Sequence, residues 1–228
     1  MQSKDLQVPA STPFNRARAM FGEHFLGPKE VSWYFGVTYS QRERRKLGKI
    51  PWSEAVLLGC VGDHVLFAGY PLSIDGIEHR ADEFYEKIKL DKSGRRNLFC
   101  SNNPTGDFRS KEKVGLRWYL IRKWWHESLD KTYIEQEKLF GANKERPRAC
   151  EVVYLTILLY LKTHEVLFAH DFVRCRDPYI PGMEGSHIGV GLFDRSSYGL
   201  RVVRLSDDPR RRLGEASIGT VSSRLPGR

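Results

Sequence analysis

The sequence predicts an α+β fold: a helical N-terminal part, a mixed or antiparallel sheet built mainly from the C-terminal half, and one buried central helix. Three observations predict it. Helical spacing of apolar residues fills most of the chain from Phe14 to Leu58. A segment from Arg148 to Lys162 is apolar nearly all round. Short β-like pieces separated by Gly, Pro and Asp clusters follow it.

Each element has its own signal. Met1 to Pro13 is polar and rich in Pro, Ser and Thr, which predicts a flexible arm ahead of a single domain over 14–228. Phe14, Ala17, Met20 and Phe21 mark one helical face, and Gly22 interrupts it. Gly27-Pro28-Lys29-Glu30 starts a second helix, because proline is tolerated at the first helical position; Gly36 stops it. Ser40 and Glu43 form a capping box for a third helix, and Ser53-Glu54 opens a fourth. Val65 to Ala68 reads as a buried strand, and Asp82 to Leu90 as an amphipathic helix. Asp91 to Lys113 is rich in Ser, Asn, Gly, Pro and charge, which predicts a long loop or internal boundary.

Val114 to Trp125 alternates as a strand does, with Trp118, Leu120 and Arg122 on one face and Arg117, Tyr119 and Ile121 on the other. Thr132 and Glu135 cap a helix that runs toward Phe140. After the apolar helix come strands at Val166–Phe168, Phe172–Cys175, His187–Phe193, Leu200–Leu205 and Ala216–Val221.

The chain of 228 residues is long enough for a real core without disulfides or metal. Hydrophobic residues at 40% and charged residues at 29% exclude general disorder and a membrane bundle. The four cysteines, at 60, 100, 150 and 175, contain no CxxC pair, so they read as reduced thiols. The N-terminus lacks a signal-peptide apolar region, and the longest apolar run is about half of the ~20 residues a membrane span needs. A cytoplasmic protein is therefore expected.

The unusual quantity is charge: 37 Lys+Arg against 28 Asp+Glu, a formal net charge of +9. Such a surplus favours anionic partners, RNA or DNA among them. Two segments could use it. Lys29 to Leu47 resembles a helix-turn-helix, with Arg42, Arg44 and Arg45 on the second segment. The plainer reading is two surface helices with a solvated basic face, since Arg42 stands where an apolar packing residue is expected. The other segment runs from Arg117 to His126. Trp118 and Trp124 could stack on unpaired bases while Arg117, Arg122 and Lys123 hold phosphates. Alternating Trp, Leu and Ile is also how a core strand looks.

Signals for catalysis are sparse. His164-Glu165 and His170 miss the spacing that would place two histidines on one helical face, so no metal site is expected. The glycines from Gly185 to Gly191 fit neither a Walker loop nor a dinucleotide fingerprint, so no cofactor is expected; they predict a strand with a bulge or close packing. An enzyme would need a site assembled from distant residues such as His64, His79, His126, Asp194 and Arg195. A protein-interaction module with Trp124 and Trp125 exposed is a third reading.

The motifs also look familiar as a set. Met20-Phe21-Gly22, Phe25-Leu26-Gly27-Pro28, Ile50-Pro51-Trp52-Ser53-Glu54 and Gly69-Tyr70-Pro71-Leu72-Ser73-Ile74 resemble a recurrent family of uncharacterised bacterial proteins with no assigned activity. Trp118 to Lys123, Glu135-Gln136, Phe193-Asp194 and Tyr198-Gly199-Leu200 extend the resemblance. It implies one co-linear unit and carries over no functional residue. The expectation from the residues is a non-enzymatic protein that binds an anionic partner.

Overall fold

The computed structural model describes residues 11–87, 99–100, 108–123, 126–129, 131–139, 145–179, 185–194, 199–206 and 217–220. Four short helices lead: α1 (Phe14–Phe21), α2 (Pro28–Phe35), α3 (Gln41–Lys46) and α4 (Glu54–Leu58). The predicted stops hold, with Gly36 in the left-handed region at φ 60°. Ser40 and Glu43 form their box: Ser40 N donates to Glu43 Oε2 at 2.7 Å and Glu43 N to Ser40 Oγ at 3.3 Å. Residues 1–10 of the expected arm lie outside the described residues, and the described chain begins before α1. Thr12, assigned to the flexible arm, is buried, and its hydroxyl donates to Trp52 O at 2.7 Å.

Two sheets follow. The first contains β1 (Phe25–Leu26), β2 (His64–Ala68) and β4 (Trp118–Arg122), in the order β1-β2-β4. β1 runs parallel to β2 and β4 antiparallel to it, with Leu66 opposite Leu120. The second sheet is mixed, in the order β3-β7-β6-β5-β8. Its strands are β3 (Phe99–Cys100), β5 (Asp171–Pro178), β6 (Ser186–Asp194), β7 (Gly199–Ser206) and β8 (Ser217–Thr220). The glycine-rich segment is thus a strand, as its composition predicted. A side chain at Gly191 would fall on the Asp171 carbonyl of the neighbouring strand.

Three expectations need correction. Val166–Phe168 is not a strand; the chain turns there from helix into β5, with Phe168 at φ 55° and its carbonyl accepting from Phe193 N at 3.1 Å. The helix placed at Asp82–Leu90 begins much earlier, as α5 (Ile74–Lys87), with Ser73 Oγ accepting from Gly76 N at 3.2 Å; residues 88–90 lie outside the described part. The C-terminal end of the expected loop over 91–113 is docked. It forms α6 (Phe108–Lys111), and Arg109 bonds Asp75 at 2.7 Å and also pairs with Glu78 of α5. Residues 91–98 and 101–107 of that loop lie outside the described residues.

At the centre is α8 (Ala149–Thr163), in which every residue from Ala149 to Leu161 is buried. Tyr154 joins it to the first sheet: its hydroxyl donates to Ala68 O at 3.1 Å, and its ring stacks on Phe67 with centroids 5.7 Å apart. The opposite side packs on β5 and β6. The N-terminus is held from two directions, by Asp177 Oδ2 accepting from Ala149 N at 2.6 Å and by Glu151 Oε2 accepting from Arg148 N at 3.0 Å. Burial pushes the Cys150 thiol up to about 12 and the Cys175 thiol well above its ordinary value, so both are unreactive in the folded state.

A polar knot fixes the second sheet to α7 (Tyr133–Glu137). Gln136 Oε1 accepts from Arg146 at 3.1 Å and from Arg174 at 3.2 Å, and Arg174 also reaches Lys131 O and Ser206 O. Arg174 is fully buried, so these acceptors stand in for water at its two terminal nitrogens. Substituting Gln136→Leu is expected to cost about 3 kcal/mol in urea unfolding, because it takes an acceptor from two buried guanidinium groups. Thr156 presents the converse case. Its hydroxyl, midway along α8, is buried with no hydrogen-bond partner among the described residues. Thr156→Val should therefore stabilise by up to about 1 kcal/mol; a lowered melting temperature would show that the hydroxyl is satisfied.

Candidate anion-binding face

From Trp118 to Ile121 the basic-aromatic run is turned into the protein. Trp118 is 3% exposed, and its indole Nε1 donates to Leu47 O at 2.9 Å. No face of that ring is free to stack on a base, because Phe14 and Phe25 pack on it with centroids 5.8 and 5.6 Å away. Arg117 pairs with the buried Glu151 at 3.4 Å and lies over Tyr119, 4.9 Å from the ring centroid. Arg122 pairs with Asp63 at 3.6 Å. Trp124 and Trp125 lie outside the described residues. The alternation in this strand serves the core on both faces, with Trp118 to Ile121 all buried.

Lys123 is 8% exposed and belongs to a three-residue cluster that the sequence did not reveal. His24 Nε2 lies 2.8 Å from Glu165 Oε2 and 3.2 Å from Lys123 Nζ. One ring nitrogen cannot donate to a carboxylate and accept from an ammonium at once. An ionised Glu165 is accommodated when Nε2–H donates to Oε2 and Lys123 donates to Oε1 at 3.3 Å. Burial opposes ionisation of Glu165, but the hydrogen bond from His24 and the Lys123 charge outweigh it, so the carboxyl titrates below its ordinary value. The three groups satisfy one another and tie β4 to the chain after α8.

Of the dispersed catalytic candidates, His64 and His79 have separate surroundings. His64 starts β2 opposite Arg122. His79 is exposed on α5 and pairs with Glu83 at 3.2 Å. His126 begins a 3-10 turn and Asp194 ends β6, while Arg195 lies outside the described residues. No group of three or more His, Cys, Asp or Glu among the described residues could hold a metal ion. No helix among them is long and apolar enough to cross a membrane.

The surface around α3 gathers several cations. Its one acid, Glu43, is committed to the Ser40 cap, and the backbone and hydroxyl bonds from Ser40 lower its pKa. No ion pair links it to the cations beside it among the described residues. The side chains of Arg42, Arg45, Lys46 and Lys49 are exposed and make no hydrogen bond or ion pair among the described residues. Arg44 Nε donates to Tyr39 O at 2.9 Å, which steadies the guanidinium and leaves its two terminal nitrogens unbonded among those residues. By contrast, Arg16, Arg18, Arg80, Arg109, Arg148 and Arg176 each face a carboxylate.

This stretch does not dock as a recognition helix. α3 has only six residues and none is buried. At 1.5 Å per residue it is about 9 Å long. It lacks the apolar residues that would pack it on α2, and Leu47, just past its end, supplies the anchor instead. Helical spacing places Arg42 and Arg45 away from Leu47.

Beside α3 runs an open groove of about 580 Å³. Its apolar wall includes Phe14, Pro28, Val37 and Leu47. Its polar side chains are Lys29, Ser32, Thr38, Tyr39 and Arg44, and no carboxylate among the described residues lines it. Lys29 and the hydroxyls of Ser32 and Thr38 have no partner among the described residues. Glu30, close by on α2, is occupied by Arg18 at 2.6 Å and by Gly27 N at 2.9 Å. The sequence singled out Arg44 but not Lys29, Ser32 or Thr38, which reach the groove only through the turn at Gly36. No protein-family model, curated protein or solved structure matches this chain.

The sign of the Glu165 shift gives a pH prediction. Its folded pKa lies below the ordinary 4.5, so its contribution is complete above that value and is lost as pH falls through the folded one. The melting-temperature gap between the wild type and Glu165→Gln should be widest near neutral pH and close in acid. A gap independent of pH would rule out the ionised cluster.

Proposed function

We propose that this protein is a non-enzymatic binder of single-stranded nucleic acid, and that the strand lies along α3 and the groove beside it. One observation carries the reading: five cations, Arg42, Arg44, Arg45, Lys46 and Lys49, lie within eight residues and none has a carboxylate partner among the described residues. A net charge of +9 spread evenly would give only weak, diffuse attraction. A cluster of unpaired cations retains its full charge for phosphates, and each phosphate neutralised releases counterions.

The geometry of α3 favours a single strand over a duplex. A helix of six residues with no buried side chain is too short and too lightly anchored to enter a major groove. A flexible strand makes no such demand, because its backbone can follow the cations and its bases are free to turn inward. The candidates Arg42, Arg44 and Arg45 stay in this reading; Arg117, Trp118, Arg122 and Lys123 leave it, being engaged elsewhere.

Fluorescence anisotropy with a labelled oligouridylate tests the reading. Binding should be measurable at ~50 mM salt and weaken steeply as salt rises. The triple variant Arg42→Ala, Arg45→Ala, Lys46→Ala should flatten the slope of log K against log salt by about 2, since each phosphate left without its cation removes about 0.7. No binding at low salt, or a triple variant that binds as the wild type does, would refute it.

A further inference from the structure

We infer that the groove beside α3 is a slot for one unpaired nucleobase, with the flanking phosphates held by Arg44 and Lys29; this rests on the proposed strand-binding reading and specifies how the strand is gripped. Charge alone would be served by α3 without any cavity. The groove adds what charge lacks: an apolar wall that can take a planar ring out of water. Its volume of about 580 Å³ leaves ample room for a base and its sugar, and lies within the usual range for small-molecule sites.

The polar groups fit the same ligand. Ser32 and Thr38 each offer a hydroxyl that can donate or accept, suited to the mixed donors and acceptors of a base edge. Neither has a partner among the described residues, so neither bond must be broken to make a new one. Arg44 is held at Nε by Tyr39 O, at 2.9 Å, so its terminal nitrogens present a fork with little freedom left to lose. No carboxylate among the described residues lines the groove to repel a phosphate.

The wall itself is firm. Phe14 is braced edge-on by Phe25 with centroids 5.0 Å apart, and Leu47 is fixed through its carbonyl to the Trp118 indole. A base in a duplex is stacked and paired on its edge, so it cannot enter such a slot without being pulled out of the helix. The slot thus converts a charge-driven site into one that prefers unpaired strands.

The test compares three labelled probes at ~50 mM salt: an oligouridylate, a duplex of equal length, and a phosphodiester chain of the same length without bases. The wild type should bind the intact strand about ten-fold more tightly than the abasic chain, since one base stacked on an apolar wall contributes on that scale. Ser32→Trp and Thr38→Trp, each of which fills the groove from a different side, should bring the intact strand down to the abasic level. Thermal melts establish that both variants fold. Equal wild-type affinity for the intact and abasic chains overturns the slot and leaves the charged face standing. Retention of the ten-fold preference by both folded tryptophan variants does the same. Failure of every probe to bind overturns the strand-binding reading and the slot with it.

Discussion

A helix with no polar side must be covered on every side, and α8 imposes that requirement on the whole chain. Its buried stretch from Ala149 to Leu161 would otherwise expose a column of Leu, Ile and Val to water. One sheet cannot enclose it. The chain therefore supplies α2 and α5, the first sheet through Tyr154, and β5 and β6 of the second sheet. The N-terminus of α8 brings its own polar demand, met by Asp177 of β5 and by Glu151. These two carboxylates then hold Arg148 and Arg117, so charges that looked available in the sequence are consumed in seating the helix.

That consumption explains why counting charges along the chain misplaces the surplus. The segment from Arg109 to Lys123 is as basic as the one from Arg42 to Lys49. In three dimensions Arg109, Arg117, Arg122 and Lys123 of the former pair with Asp75, Glu151, Asp63 and Glu165. In the latter, Arg42, Arg45, Lys46 and Lys49 face no carboxylate among the described residues, and Glu43, its single acid, accepts from the Ser40 backbone.

Local signals were legible and long-range ones were not. The capping boxes at Ser40–Glu43 and Thr132–Glu135, the stop at Gly36 and the extent of α8 could be read because each depends on residues within one or two turns. The strands β2, β4, β6 and β7 were legible from their apolar runs. β1 was missed since two residues carry no period, and the start of α5 because Gly76 and the polar residues after it hide the spacing of Ile74, Ile77 and Ala81. The face of α3 was visible as charge, but its isolation from acids was not. The groove depends on α1, α2 and the turn at Gly36 converging, which no spacing encodes. The Trp118 reading failed for a related reason: alternation marks a strand equally well whether one face or both are buried.

The two deeply buried thiols have a practical meaning. Cys150 sits in the first turn of α8 and Cys175 in the strand whose Asp177 caps that helix. An alkylating reagent reaches them only when the seam between the helix and the second sheet parts. Their modification rate is therefore an intrinsic gauge of breathing at that one seam, read without introducing any label, and it separates local opening there from events at the half-exposed Cys60 beyond α4.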